Sequence, residues 1–207
     1  MSAFLIGLTG GIASGKSAVS QRFEAKGIFV ADADQAAREA VAIGSDGLAD
    51  VVDMFGKGVL AADGSLDRPA MRGRVFADAD ARKRLEGIIH PRVHELLHDA
   101  CLRATGPYAI AAVPLLAESG GRKAYPWLQR ILVVDVPESV QLQRLLLRDG
   151  IDEALAQRMI DVQATRQQRL AIADDVLLND GPLEALDERV AVLDQLYRNL
   201  AKEMGSE

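Results

Sequence analysis

Gly10-Gly11-Ile12-Ala13-Ser14-Gly15-Lys16-Ser17 decides the reading of this 207-residue chain. The octet fits G-x-x-x-x-G-K-[ST] in full and stands directly behind the apolar run Ala3-Phe4-Leu5-Ile6-Gly7-Leu8. A phosphate-binding loop, or P-loop, needs a strand before it and a helix after it. Residues 3 to 8 have the length and composition of a buried strand, and Ser17 to Lys26 carries Ala18, Val19 and Phe23 at helical spacing. In such a loop the glycines let main-chain N–H groups close around a polyphosphate, and the helix N-terminus adds its partial positive charge. Lys16 then reaches the β and γ phosphates, and Ser17 ligates Mg²⁺. The candidate cradle runs through Gly11, Ile12, Ala13, Ser14, Gly15, Lys16, Ser17 and Ala18. Nucleotide binding follows from this context, and what is done with the phosphate is the remaining question.

Composition narrows the class. A hydrophobic content of 49% over 207 residues suffices for one sizeable core with smaller appendages. No run approaches the roughly eighteen apolar residues of a membrane span, and the N-terminus lacks the basic start and cleavage site of a signal peptide. A soluble, cytoplasmic protein with no membrane partner is expected. The single cysteine, Cys101, rules out an internal disulfide and reads as a small buried apolar residue. A net charge of −6 argues against the diffuse positive surface of a nucleic-acid binder.

Along the chain, short apolar runs alternate with longer amphipathic stretches, the pattern of an α/β protein with a parallel sheet. Five strands are expected: Phe4 to Thr9, Ile28 to Ala31, Tyr108 to Val113, Arg130 to Val136 and Val176 to Leu178. The interval from Asp32 to Thr105 reads as consecutive helices interrupted by the polar turn Ala61-Ala62-Asp63-Gly64-Ser65. It is too long for a simple crossover and suggests an inserted helical lobe. A second helical interval, from about Glu138 to Ala173, is rich in Arg and Gln and reads as a flap over the site. No Pro/Gly/Ser-rich linker divides the chain.

Ala31-Asp32-Ala33-Asp34 falls at the end of the second expected strand, where the carboxyl edge of an open α/β sheet meets its ligand crevice. Carboxylates two residues apart lie on one side of an extended segment. One could accept a hydroxyl proton while the other holds Mg²⁺ through water, the division of labour in phosphoryl transfer to an alcohol. Asp34 could equally cap the helix opening at Gln35-Ala36-Ala37. Farther along, Arg144 and Arg148 lie four apart on one helix face, with Arg158, Arg166 and Arg169 expected in the next helix. Arginine forks neutralise charge on a transferring phosphoryl group, so Arg144 and Arg148 read as flap residues and Arg158 as a solvated one.

Residues 68 to 92 hold Arg68, Arg72, Arg74, Arg82, Lys83, Arg84 and Arg92 against Asp78, Asp80 and Glu86, an excess of four positive charges. This is either an attractor for an anionic second substrate or ordinary helix surface. His90, His94 and His98 share a helix stripe, but no Cys or spare carboxylate stands in position to complete a metal site. His90-Pro91 is read as a helix start lining the substrate cleft, because a first turn tolerates proline.

Together these segments resemble the dephospho-CoA kinase family over nearly the whole chain. The likeness rests on Leu8-Thr9-Gly10-Gly11-Ile12 running into Ser14-Gly15-Lys16-Ser17, on Asp32-Ala33-Asp34 with Ala37-Arg38, and on Ile89-His90-Pro91-Arg92-Val93. It continues through Val113-Pro114-Leu115-Leu116, Glu118, Val133-Val134-Asp135-Val136, Gln163-Ala164-Thr165-Arg166, Arg169-Leu170-Ala171 and Ala173-Asp174. Ala13 stands where a glycine is common in the family and Ala18 where a threonine is common.

The resemblance implies a P-loop NTPase fold of the nucleoside monophosphate kinase type, an α/β architecture whose five-stranded parallel sheet is flanked by helices and carries a helical substrate lobe and a helical lid. It implies ATP and Mg²⁺ as cofactors and 3′-dephospho-CoA as the substrate phosphorylated on its ribose 3′-hydroxyl, giving CoA and ADP. Asp34 matches the general base, with Lys16, Arg144 and Arg148 also in catalytic roles. Ser17 and Asp32 would serve the metal, and Arg166, Arg169 and Asn179 fall near the adenine. Asp32, His90, Pro114, Leu115 and Glu118 would meet the acceptor. The core would comprise 1–31, 106–137 and 174–207, the lobe 32–105 and the lid 138–173, in a monomer or weak homo-oligomer.

Rival classes lack their signatures. N-K-x-D, which would read guanine, is absent, although Asp53-Met54-Phe55-Gly56 matches D-x-x-G. Ile131 to Asp135 looks like the strand of a motor ATPase, but no coupling signature accompanies it. Another small-molecule kinase, or a nucleotide-binding module without turnover, are the alternatives.

Overall fold

In the computed structural model, which describes residues 4–182 and 184–206, the apolar run before the octet is a strand, β1 (Leu5–Gly10), buried at every position. Ala3, the first residue of that run, lies outside the described residues. The other strands are β2 (Phe29–Asp32), β3 (Ala109–Ala112), β4 (Arg130–Asp135) and β5 (Asp175–Leu178). Each expected strand is present with its ends within one residue of the expected bounds. They form a five-stranded sheet in the order β2-β3-β1-β4-β5. The register is parallel, with Leu5 opposite Ala109, Gly10 opposite Val134 and Asp135 opposite Leu178. Continuous apolar runs rather than alternation in β1, β3 and β4 fit a sheet covered on both faces at its centre, while the edge strands β2 and β5 are each buried at one position. The chain leaves β1 for β2 on one side and later crosses from β3 to β4 on the other, so the carboxyl end of β1 is where an open α/β sheet presents a ligand crevice.

The chain divides into two compact units, Met1–Ala31 with Ala100–Glu207, and Asp32–Asp99. The first unit contains the sheet with α1 (Lys16–Ala25), α6 (Glu138–Asp149), α7 (Glu153–Asp161), α8 (Arg166–Ala171) and α9 (Ala185–Met204). Its core joins Ile6, Leu8, Val19 and Phe23 to Ile110, Leu132, Leu177 and Val190. Phe23, Tyr108 and Tyr197 meet there with ring centroids 5.5 to 6.4 Å apart. The buried phenols are satisfied: Tyr108 donates to Asp194 at 2.7 Å and Tyr197 to Asp175 at 3.0 Å. Each accepting carboxylate is itself held by a guanidinium, Arg198 on Asp194 and Arg130 on Asp175. This arrangement fastens α9 to the sheet without leaving a buried charge unpaired.

The second unit is helical, with α2 (Ala33–Glu39), α3 (Asp46–Phe55), α4 (Arg68–Ala77) and most of α5 (Ala79–Arg103). Val41, Leu48, Val51, Val59, Met71 and Ile88 form its own core. The polar stretch 61–65 is a turn closed by Asp63, which accepts from the Ser65 N–H and hydroxyl, between bridged Leu60 and Leu66. The D-x-x-G coincidence dissolves here, because Asp53 lies inside α3 and Gly56 is its C-cap.

Two helix readings are corrected. His90-Pro91 does not open a helix: Pro91 lies inside α5. An interior proline removes one hydrogen bond to residue i−4 and crowds that carbonyl. Residue i−4 is Gly87, exposed and without a side chain, so its carbonyl can turn to water. Arg158 does not share a helix with Arg166 and Arg169, because α7 ends at Asp161 and Thr165 opens α8 with a capping box to Gln168.

Candidate active site

The loop between β1 and α1 is built from close approaches. Gly15 sits at φ 90°, in the left-handed region, and a Cβ there would overlap the Asn179 side-chain amide. A Cβ at Gly11 would overlap the Gln141 amide and lie 2.8 Å from Arg169 Nη2. Ala13 has φ 58°, the single non-glycine residue with positive φ among those described. The left-handed conformation costs an L-residue about 1–2 kcal/mol. Its methyl group recovers part of this by packing with Ile12 against Leu145, Ala156 and Ile160. Losing that methyl forfeits about 0.8 kcal/mol, and glycine adds about 0.4–1 kcal/mol of unfolded-state entropy. Ala13→Gly is therefore expected to change stability by less than about 1 kcal/mol in urea unfolding, because these contributions cancel.

The N-terminus of α1 differs from the helix starts around it. Asp32, Ser45, Asp67, Asp152 and Thr165 cap α2, α3, α4, α7 and α8 with their own side chains. α1 has no side-chain cap and no acidic residue in its first turn. α6 and α9 also lack side-chain caps, but each carries acidic residues in the first turn. The first N–H groups of α1 thus await an acceptor from outside the chain. Half-buried Lys16 and exposed Ser17 stand there without a side-chain hydrogen bond or ion pair among the described residues. A cation beside uncapped N–H groups opposes the helix dipole unless an anion joins them. The residues present therefore fit a polyphosphate. Ala18, next in the turn, packs its methyl on the core.

Distant side chains clamp the loop. The Ile12 N–H donates to Gln163 Oε1 at 2.7 Å, and Gln141 Nε2 donates to the Ile12 carbonyl at 2.7 Å. Arg144 Nη1 reaches the Ala13 and Ser14 carbonyls at 3.4 Å each, while its Nη2 donates to the Asn179 carbonyl at 2.9 Å. Asn179, 2% exposed, donates its side-chain amide to the Ser14 carbonyl at 2.7 Å. The Ser14 hydroxyl is buried and has no hydrogen-bond partner among the described residues. Arg169 is buried, donates to the Ala164 carbonyl and lies 3.5 Å from Gln141 Oε1. Desolvation pulls its guanidinium below the usual range, with Glu118 acting in the opposite sense. Gln141 and Gln163 were not among the expected site residues. Their signal was weak, since an amide carries no charge and no recurring spacing.

Other expected site residues have different neighbours. Arg148 is paired in a fork with the adjacent Asp149, at 2.7 and 2.8 Å, rather than with the loop. Arg166 grips Asp135, the buried last residue of β4, at 2.6 to 3.1 Å, and that carboxylate raises its pKa. Glu118 Oε1 accepts from the Ala164 N–H at 2.7 Å and so holds the entry to α8. The Pro114 carbonyl accepts from Thr9 at 3.2 Å, and Leu115 is 47% exposed beside it.

In the second unit, the capping alternative for Asp34 is corrected. Asp32 is the N-cap of α2, accepting from the Asp34 and Gln35 N–H groups at 2.7 and 3.3 Å. Asp34 is the second residue of that helix, exposed, its carboxylate without a partner among the described residues. His90 is exposed on α5, and no three metal-ligating side chains cluster among the described residues. Part of the basic run in 68–92 is paired, but only one of its partners, Asp50, lies outside the run, so most of the excess persists. Arg92 pairs with Asp50, Arg84 with Asp78 at 3.5 Å and Arg82 with Glu86 at 3.2 Å. Arg74 donates to the Phe55 carbonyl at 2.7 Å.

Comparisons with known proteins agree with this fold. A dephospho-CoA kinase of Xanthomonas oryzae pv. oryzae is 57% identical over 198 residues, covering 96% of this chain and 98% of the relative. A solved structure from Thermus thermophilus superposes with a TM-score of 0.77 at 30% identity, covering 95% of this chain and 99% of the other. A dephospho-CoA kinase from Campylobacter jejuni has the same fold, with a TM-score of 0.70 at 23% identity over 94% of this chain and 96% of that one. The model of the family described as dephospho-CoA kinase matches residues 4–185, and with that span and those relatives the chain belongs to the dephospho-CoA kinase family.

Proposed function

We propose that the loop at the end of β1 holds the triphosphate of ATP while Asp34 accepts the proton of the ribose 3′-hydroxyl of 3′-dephospho-CoA. The reaction is phosphoryl transfer to that alcohol, giving CoA and ADP, the last step of coenzyme A biosynthesis. The observation that carries the reading is the uncapped, acid-free N-terminus of α1 with an unpaired Lys16 inside a complete G-x-x-x-x-G-K-[ST] loop. Lys16 and the loop amides stabilise charge on the β and γ phosphates. Arg144, held on the loop carbonyls, is assigned to the transferring group, and Arg148 is assigned to join it on releasing Asp149.

Ser17 and Asp32 are the oxygen donors that would hold Mg²⁺, one a hydroxyl without a partner and the other a carboxylate with only Oδ1 engaged in the cap. Oxygen donors of this kind suit that ion, and when bound it neutralises charge on the phosphates. Arg166, oriented by Asp135, offers a planar guanidinium to the adenine, and Asn179 serves the nucleotide by holding Ser14 in place. His90, Pro114, Leu115 and Glu118, with Asp32, are assigned to the acceptor. The unit Asp32–Asp99 is assigned as the substrate lobe, and α6 to α8 as the lid.

We place the protein in the cytoplasm as a monomer or weak homo-oligomer, without nucleic-acid or membrane partners. A net charge of −6 and a buried free Cys101 support this, and among the described residues no helix is long and apolar enough to cross a membrane. The test is ADP formation from Mg-ATP with 3′-dephospho-CoA, alongside adenosine, AMP, shikimate and no acceptor, with mass spectrometry of each acceptor. One phosphoryl group added to dephospho-CoA alone is expected. Phosphate on another acceptor instead would remove the substrate assignment, and ATP binding with no acceptor modified would remove the catalytic one.

A further inference from the structure

Ile12 is held at both of its peptide groups by side chains far away in sequence. The chemistry of the backbone fixes which atom of each glutamine is involved. An N–H can only donate, so it meets the Gln163 oxygen; a carbonyl can only accept, so it meets the Gln141 nitrogen. Gln141 is 1% exposed and comes from α6, while Gln163 lies in the segment between α7 and α8. Pinning one donor and one acceptor fixes the peptide planes on either side of the Ile12 Cα. Ala13 follows in the left-handed region, a conformation its side chain disfavours and which needs such support. The Ala13 and Gly15 N–H groups have no acceptor among the described residues. The Ser14 N–H between them donates to the Gly11 carbonyl at 3.0 Å, and free loop N–H groups such as those flanking it line an anion-binding concavity. Packing of Ile12 and Ala13 on the Leu145 cluster adds attraction but no direction, because apolar contact is not orientational.

We propose that Gln141 and Gln163 are positioning residues of the phosphate cradle: by fixing both peptide planes of Ile12 they present the amides that follow to the polyphosphate of the nucleotide. The inference rests on the loop as the nucleotide site and does not depend on which acceptor is phosphorylated.

The test uses the full chain in four variants, Gln141→Leu, Gln163→Leu, Gln141→Glu and Gln163→Glu. Mg-ATP binding is measured by calorimetry, the KM for dephospho-CoA by steady-state kinetics, and exchange of the Ile12 amide by hydrogen–deuterium exchange without nucleotide. Each Leu variant is expected to weaken Mg-ATP binding about tenfold, the effect of one oriented hydrogen bond, with the KM for dephospho-CoA within about twofold of the parent. Gln163→Leu is also expected to speed exchange at Ile12. The Glu pair separates positioning from packing and from charge. Both add one negative charge beside Ile12, and that at 141 faces the Arg169 guanidinium, which offsets it, so weaker binding by Gln141→Glu cannot be put down to charge. Glutamate keeps the acceptor needed at 163 and loses the donor needed at 141. Gln141→Glu is therefore expected to bind Mg-ATP about tenfold more weakly than Gln163→Glu. Equal affinities in the Glu pair would overturn the proposal, as would Leu variants that bind like the parent. If a Leu variant fails to fold, the Glu comparison decides. A parent protein that binds Mg-ATP but leaves dephospho-CoA unmodified would refute the assigned reaction, and the binding constants of the variants would still decide the role of the glutamines.

Discussion

Lys16→Ala is expected to reduce phosphoryl transfer by about a thousandfold or more at saturating ATP, in line with removal of a principal charge stabiliser in phosphoryl transfer. Its cost to folding is expected to be nil. Lys16 has no side-chain ion pair or hydrogen bond among the described residues, so no partner is orphaned by its removal. It also stands in the first turn of α1, where a positive side chain opposes the helix dipole by about 0.3–1 kcal/mol. The melting temperature of the alanine variant should therefore stay level or rise while turnover collapses. Such opposed changes mark a residue retained for a ligand. Turnover near that of the parent at saturating ATP would remove Lys16 from the phosphate cradle.

Asp34→Asn is expected to lower turnover by about a hundredfold or more, the contribution of a positioned general base, with little change in the KM for ATP. The structure makes this substitution a clean one. The N-terminus of α2 is capped by Asp32 and not by Asp34, so the helix survives the change. The Asp34 carboxylate has no partner among the described residues, so none loses one. Asparagine keeps the shape and removes only the capacity to take a proton. An unchanged turnover number would discard Asp34 as the base. Asp32→Asn would be harder to interpret, because asparagine is itself a good cap and the variant would change metal binding and helix geometry by different amounts.

Both substitutions fall on residues that the sequence had already singled out, and the reason is local chemistry. A complete G-x-x-x-x-G-K-[ST] octet behind an apolar strand carries its own confirmation, because every part of it lies within about twenty consecutive residues. The carboxylates at 32 and 34 were visible for the same reason, though whether Asp34 capped α2 was not. An Asp two residues earlier serves equally well as a cap, and only the hydrogen bonds to the Asp34 and Gln35 N–H groups separate the two. Pro91 misled because proline marks helix starts far more often than interiors, and the exposed Gly87 that tolerates it lies one turn back with no distinguishing pattern. The basic run at 68–92 left both of its readings open, and the carboxylate that takes up Arg92, Asp50, is 42 positions away.

The strands, the buried character of β1 and the phosphate loop were legible in the sequence, because each depends on composition and periodicity within a few residues. Folding alone decided what surrounds that loop. Asn179 meets Ser14 across 165 positions, Gln163 meets Ile12 across 151 and Gln141 meets it across 129. Such pairings arise when the parallel sheet places the end of β5 and the helices after β4 beside the end of β1. A hydrogen bond between a side-chain amide and a backbone group so far away leaves no repeat, no charge pattern and no spacing in the chain from which it could be read.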